Sequence, residues 1–156
     1  MSRRRLPSLG GSERPANLAV LMREAFVALN DRVLARLAER GHSEVRAAHG
    51  AVFQNLDDTG TTVSLLAERA RMTKQAMAEL VKHLETHGYV RRVPDPTDRR
   101  AKLVVPTERG LEVIDTAQGF VPELEQLVGE ILGAERVRHL RDDLEAIRRA
   151  IPARGA

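Results

Sequence analysis

The stretch TTVSLLAERARMTKQAMAELVKHLETHGYVRRVPDPTDRRAKLVVPTERG, Thr61 to Gly110, decides the fold. It opens with two short helical patterns, Leu65, Leu66, Ala67 and Ala70, then Ala76, Met77, Leu80, Val81 and Leu84, at the three- and four-residue spacings of an apolar helix face. Arg71 and Met72 make a tight joint between them. Thr73 is suited to cap the second helix, because its hydroxyl accepts from a first-turn amide, and Gly88 stands where a helix end takes a left-handed residue. Tyr89, Val90 and Val93 then read as a strand, Pro94 to Asp98 as a turn, and Leu103, Val104 and Val105 as the returning strand. Arg91, Arg92, Arg99, Arg100 and Lys102 make this hairpin basic at base and tip. A helix-turn-helix lays its second helix in the DNA major groove with the first residues against base edges. Those residues are Thr73, Lys74 and Gln75, with Ala78, Glu79 and Lys82 on the outward face beyond them. Gln pairs bidentately with adenine, and Lys reaches guanine or a phosphate. A helix pair alone fits any three-helix domain equally well. An arginine-tipped hairpin favours nucleic acid, since a hairpin that only packs on a core needs no such charge.

The flanks are helical. From Asn17 the residues Leu18, Leu21, Met22, Ala25, Phe26, Leu29, Val33 and Leu37 trace a long amphipathic helix that stops near Gly41. Ser43 is placed to cap a second helix through Val45, Ala48, Val52, Phe53 and Leu56, ending at the turn Asp57 to Gly60. Thr107 caps a further helix through Leu111, Ile114, Val121, Leu124, Val128, Ile131 and Leu132, which Pro122 is placed to bend. After Gly133, Val137, Leu140, Leu144, Ile147 and Ile151 form a heptad-like seam, suited to a second copy or to a monomer's own core. Residues 1–15 hold Arg3, Arg4 and Arg5 among prolines and glycines, the composition of a disordered basic arm.

Composition narrows the function. Of 156 residues 42% are hydrophobic and 30% charged, which describes a globular chain with a core. Only Phe26, Phe53, Phe120 and Tyr89 are aromatic, so a nucleic-acid surface built on stacked rings is unsupported. The absence of cysteine removes disulfides, thiolate metal sites and cysteine nucleophiles. No apolar run approaches a membrane span and no apolar leader opens the chain, so a cytoplasmic location and no membrane partner are expected. Residues 62–105 carry nine Lys/Arg against five Asp/Glu, whereas residues 106–156 carry seven against ten. A central anion-binding module with flanks of another purpose is implied.

On these residues the chain resembles the MarR family of bacterial transcriptional regulators. The resemblance rests on the helix at Leu66-Ala67-Glu68, the Thr-capped second helix, the exit Gly88-Tyr89-Val90 and the wing run Asp98-Arg99-Arg100 followed by Lys102 to Thr107. It implies a mainly α fold with a small β-hairpin wing, a winged helix-turn-helix flanked by helices forming a dimerisation domain. The divisions would be a disordered arm at 1–15, N-terminal helices at 16–60, the winged helix-turn-helix at 61–106 and C-terminal dimerisation helices at 107–156. By the same resemblance Thr73, Lys74 and Gln75 begin the recognition helix and Arg99 enters the minor groove. Asp98 steadies the hairpin or the arginine, and Arg91, Arg92 and Arg100 contact phosphate or serve the structure. Arg99 paired with Asp98 or Asp95 on a solvated hairpin is the competing reading. The implied partners are a homodimer mate and a pseudo-palindromic double-stranded operator. Small aromatic or phenolic anions are the implied effectors, in a cleft lined by Met22, Phe26, His49, Phe53 and Met72 with Arg46 for the carboxylate. Phe26 and Phe53 as plain core residues are the alternative.

Other chemistry finds no constellation. His83 and His87 stand four apart on one helix, the spacing of a metal half-site, but an exposed histidine pair explains them as well, and no cluster forms around His42, His49 and His139. No metal or cofactor is expected. Ser-His-Asp sets, paired carboxylates and phosphate-cradling glycine loops are missing, so the chain reads as no enzyme. The leading expectation is a homodimeric regulator of the repressor type that reads double-stranded DNA. Its rival is a helical dimer that uses the winged unit for protein contacts without operator binding.

Overall fold

The structure is a computed structural model and describes residues 17–151; the basic arm expected at 1–15 lies outside the described residues. Helix α1 spans Leu18–Glu39, capped by the Asn17 carboxamide oxygen, which accepts from the Val20 amide. A 3₁₀ turn at Ala47–His49 runs into the single-turn helix α2, Gly50–Phe53. Helices α3 (Val63–Ala70) and α4 (Lys74–Thr86) follow, then strands β1 (Val90–Pro94) and β2 (Lys102–Pro106), and the long helices α5 (Glu108–Leu132) and α6 (Ala134–Ala150). The fold is mainly helical, a winged helix-turn-helix between flanking helices.

Threonine hydroxyls start three of these helices. Thr62, Thr73 and Thr107 accept from the amides of Leu65, Ala76 and Gly110, one donor satisfied at each helix start. The joint between α3 and α4 is closed by Arg71, which takes the left-handed conformation at φ 54°. Gly88 follows α4 at φ +76°, as its place in the sequence requires. β1 and β2 pair antiparallel with Arg92 opposite Val104, and Thr61 extends the pairing through two bonds to Val104. The core gathers Val52 of α2, Leu66 of α3, Met77, Val81 and Leu84 of α4, Tyr89, Val90 and Val104 of the hairpin, and Val113 of α5.

Ser43 does not cap the second helix. The chain after α1 first turns through His42–Val45, and Arg46 stands at the start of the short turn instead. Helix α2 then ends at Phe53, short of Leu56. The physical reason is local: the apolar residues Val45 and Val52 are both buried here, and a tight turn with one helical turn achieves that without a full helix. α5 continues through Pro122, whose missing amide leaves the Gln118 carbonyl without its helical donor.

The seam of α6 is not a core of this chain. No residue of α6 is buried, and Leu140, Leu144, Ile147 and Ile151 are exposed, as are Val121 and Ile131 of α5 and Leu18, Leu21 and Phe26 of α1. The reading of Phe26 as a core residue therefore fails, since its ring is 58% exposed. Phe53 is half-buried and packs on the core.

The glycines of α5 give the fold a test with two signs. A Cβ at Gly110 would collide with the Tyr89 carbonyl, whereas one at Gly119 would meet nothing within 4 Å. Gly110→Ala is expected to destabilise by about 1–3 kcal/mol or more, the cost of overpacking. Gly119→Ala is expected to stabilise by about 0.5–1 kcal/mol through reduced unfolded-state entropy. Urea unfolding of both variants checks this, and equal effects would refute the close approach of α5 to the hairpin root.

Candidate nucleic-acid interface

The first turn of α4 presents Thr73, Lys74 and Gln75 to solvent, with Lys82 exposed two turns on and Ala78 half-buried between them. Thr73 uses one lone pair of its hydroxyl on the cap, which leaves the O–H and a second lone pair toward a ligand. The amides of Lys74 and Gln75 head the helix, where backbone N–H groups and the helix dipole favour an anion.

The wing tip is shaped by its two aspartates. Asp95 accepts from the amide and the hydroxyl of Thr97 at 2.8 and 2.7 Å, and those bonds hold its carboxyl below the ordinary range. The Asp98 carboxylate accepts from the Arg100 amide at 2.9 Å, and its carbonyl accepts from Ala101. Asp98 thus folds the tip by bonding the backbone and pairs with no arginine side chain. Arg91, Arg99, Arg100, Lys102, Lys74 and Lys82 are exposed, and among the described residues none has a carboxylate within 4 Å. The pairing of Arg99 with Asp95 or Asp98 is accordingly not what the structure holds. Arg92 differs: its Nε donates to Glu85 of α4 at 3.1 Å, tying β1 to the helix.

Behind this surface lies a cluster that the sequence did not announce. Tyr89 is completely buried; its hydroxyl donates to Glu44 at 3.0 Å and accepts from Arg109 at 3.0 Å. Arg109 lies over the Tyr89 ring with Cζ 4.5 Å from its centroid, and also reaches Glu44 and the Gly41 carbonyl, each at 3.3 Å. Burial pushes the Tyr89 phenol up, while a backbone hydrogen bond and then the Tyr89 hydroxyl hold Glu44 down. A second tie joins Arg69 of α3 to Asp57 at 2.8 Å and to the Asn55 carbonyl, fixing the turn that precedes α3. The signal for the first cluster was the lone tyrosine, whose hydroxyl needs a partner when buried. Its partners stand 45 and 20 residues away and could not be read from spacing.

The family model described as MarR family matches residues 43–101, from the turn after α1 to the wing tip. Over these residues the chain is similar to the MarR family. Two relatives are each 32% identical to this chain: the transcriptional activatory protein BadR of Rhodopseudomonas palustris over 87 residues, and the transcriptional regulator HosA of Escherichia coli O111:H- over 81. The matches span 56% and 51% of this chain and 49% and 60% of those proteins, so the chain spans less than two thirds of the length of either relative. Among solved structures, the S. aureus MepR–DNA complex superposes with a TM-score of 0.69 at 17% identity, covering 88% of this chain and 100% of that one. CouR from Rhodococcus jostii RHA1, bound to p-coumaroyl-CoA, gives 0.65 at 25% identity, covering 90% and 96%.

The residues expected to line an effector cleft are divided. Arg46 and Phe53 line one small pocket of about 100 Å³ with Val33, Leu34, Leu37 and Val113. Met22, Phe26 and Met72 stand outside it, and His49 is buried elsewhere. His49 stacks on His83 with ring centroids 4.6 Å apart, and His83 lies 4.3 Å from His87. The pair on α4 is therefore half-buried in a column of three imidazoles, not an exposed pair. Among the described residues no three His, Cys, Asp or Glu side chains are grouped to hold a metal. No helix there is long and apolar enough to cross a membrane.

Burial lowers the His49 pKa from 6.5 to about 4, with the charges of His83, Arg46 and His87 adding to the effect. Its Nδ1 accepts the Arg46 amide at 2.9 Å, a bond that the neutral ring alone can make. Between pH 6.5 and about 4 the unfolded chain binds a proton at this residue that the folded chain refuses, so stability falls as pH falls through that window. The slope from this one group is at most about 1.4 kcal/mol per pH unit. Urea midpoints at several pH values should show this component in the wild type and not in His49→Gln. Identical pH slopes would contradict it.

Proposed function

We propose that this protein is a homodimeric transcriptional regulator of the MarR family, of the repressor type, that reads a pseudo-palindromic double-stranded operator. The observation that carries the reading is the set of exposed cations without carboxylate partners on α4 and the wing, beside the open amides of the α4 N-terminus. Outside α4 and the wing, among the described residues, Arg36, Arg69, Arg109, Arg141, Arg148 and Arg149 each meet a carboxylate, whereas Arg23, Arg32, Arg40, Arg46, Arg71, Arg136 and Arg138 do not, so what marks α4 and the wing is the setting of their unpaired cations beside a helix N-terminus. Unpaired cations beside open helix amides suit phosphates, whose neutralisation releases counterions. In this reading Thr73, Lys74, Gln75, Ala78 and Lys82 face the major groove, Arg99 enters the minor groove, and Arg91 and Arg100 hold phosphates. Asp98 keeps the tip folded, and Arg92 serves the structure through Glu85. The exposed apolar residues of α1, α5 and α6, among them Leu21, Phe26, Val121, Leu144 and Ile147, are the surface for the second copy. Support also comes from the likeness to a MepR–DNA complex and from relatives named as transcriptional regulators.

A small aromatic anion is the effector class that fits, with the Phe53 ring and its aliphatic neighbours for the apolar part and Arg46 for the charge. The pocket of about 100 Å³ is smaller than the roughly 150 Å³ that admits a benzene ring. Binding must therefore widen it, moving α1, α2 and α5 relative to one another, and that motion is what would release DNA. CouR, a structural neighbour, is bound to p-coumaroyl-CoA.

Selection from a random duplex pool, followed by affinity measurements over a range of salt, tests the reading. The enriched sequence should be a pseudo-palindrome with half-site centres about 10 bp apart. Arg99→Ala should bind it weakly with unchanged melting, because an exposed arginine contributes only about 0–1 kcal/mol to folding. A phosphate role lowers the slope of log K against log salt by about 0.9, whereas a minor-groove role costs affinity most at A·T-rich flanks. A variant that binds like the wild type at every salt would exclude the wing from the interface.

A further inference from the structure

Arg109 stands at the meeting of three parts of the fold. Its backbone belongs to the first turn of α5, and its guanidinium donates to the Gly41 carbonyl and the Glu44 carboxylate in the segment that leaves α1. The same group donates to the hydroxyl of Tyr89 and lies across its ring, and Tyr89 is the residue that joins α4 to β1. Its Nε is buried without a partner, and the two N–H groups of the terminal nitrogen Nη2 are shared among the three acceptors. A planar, always-charged fork can stack and hydrogen-bond at once, which a flexible ammonium cannot. One side chain therefore pins the hinge end of α4 to the helices that carry the exposed apolar faces.

Leverage gives this pin a consequence. α4 has 13 residues, so its reading end at Thr73 lies about 20 Å from the pin at its other end. A tilt of about 10° about Tyr89 moves that end by about 3.4 Å, the rise of one base pair. In a dimer the tilt applies at both ends of the site. We propose that Arg109 is a positioning residue that fixes the angle of the winged unit on the flanking helices and so sets which half-site spacing the protein accepts. The proposal rests on the dimeric DNA-reading function above and adds to it a residue with no DNA contact of its own.

The test uses the full chain and duplexes carrying two copies of the selected half-site, with the spacer varied one base pair at a time. The wild type should prefer one spacing by at least tenfold over spacings two base pairs longer or shorter. Arg109→Gln should flatten that preference to less than threefold, while base preference within the half-site and the salt slope stay as in the wild type. Arg109→Lys, which keeps the charge and loses the fork, should behave like Arg109→Gln. Tyr89→Phe removes only the hydroxyl and should flatten the profile partway, and it keeps the proposal testable if the arginine variants fail to fold. A merely structural Arg109 would lower melting and weaken all spacings alike; an unchanged spacing profile in the variants would overturn the proposal. A wild type that binds single half-sites and paired ones equally would instead overturn the dimeric reading, and the proposal with it.

Discussion

A phenol cannot be buried without a partner for its hydroxyl, and the winged unit is organised around one that is buried completely. Tyr89 takes the place where α4 ends and the hairpin begins. Its amide donates to the Leu84 carbonyl, closing the helix, and its carbonyl accepts the Thr107 amide, which starts α5. Its hydroxyl is shared by Glu44 and Arg109, and its ring meets His42 edge-on at 5.6 Å. Thr107 returns the connection by donating to the Gly88 carbonyl at 2.5 Å. Gly110 is glycine because the Tyr89 carbonyl occupies the space a side chain would need. The end of α4, the start of α5 and the segment after α1 all bond to this residue.

From that root outward the charges are sorted by position. Three near the hinge are consumed: Arg109 by Glu44, Arg92 by Glu85, Arg69 by Asp57. At the wing tip the acids are consumed by the turn itself, because Asp95 and Asp98 spend their oxygens on Thr97 and on the Arg100 amide. The tip thus keeps its cations while its anions become part of the backbone's own bonding. A hairpin with equal charge but free aspartates would pair its arginines at home and offer a phosphate little.

The helix-turn-helix and hairpin were legible from Thr61 to Gly110 because their signals are local: threonine caps three residues from the amides they bind, Gly88 at a positive φ, and apolar spacings of three and four. The segment from His42 to Leu56 was misread, since a serine before an apolar run looks like a cap whether or not the chain then turns; burial of Val45 and Val52 favoured the turn. Spacing also could not tell a seam that packs inside the chain from one that faces out. The exposure of Leu144 and Ile147 separates the two. The histidine column and the Arg109 cluster were invisible for a common reason: each joins residues tens of positions apart, and neither follows a periodicity.

With no cysteine in the sequence, a single introduced thiol marks one point of the fold without further change. Lys82→Cys places it on the outward face of α4, beyond the reading residues at the helix start. A DNA-cleaving chelate attached there, on the protein bound to its selected duplex, measures where α4 lies. If α4 of each of two copies occupies a major groove, cuts will fall in two clusters related by the symmetry of the site and about one helical turn, or 34 Å, apart. A single cluster, or cuts spread evenly along the duplex, would contradict the account.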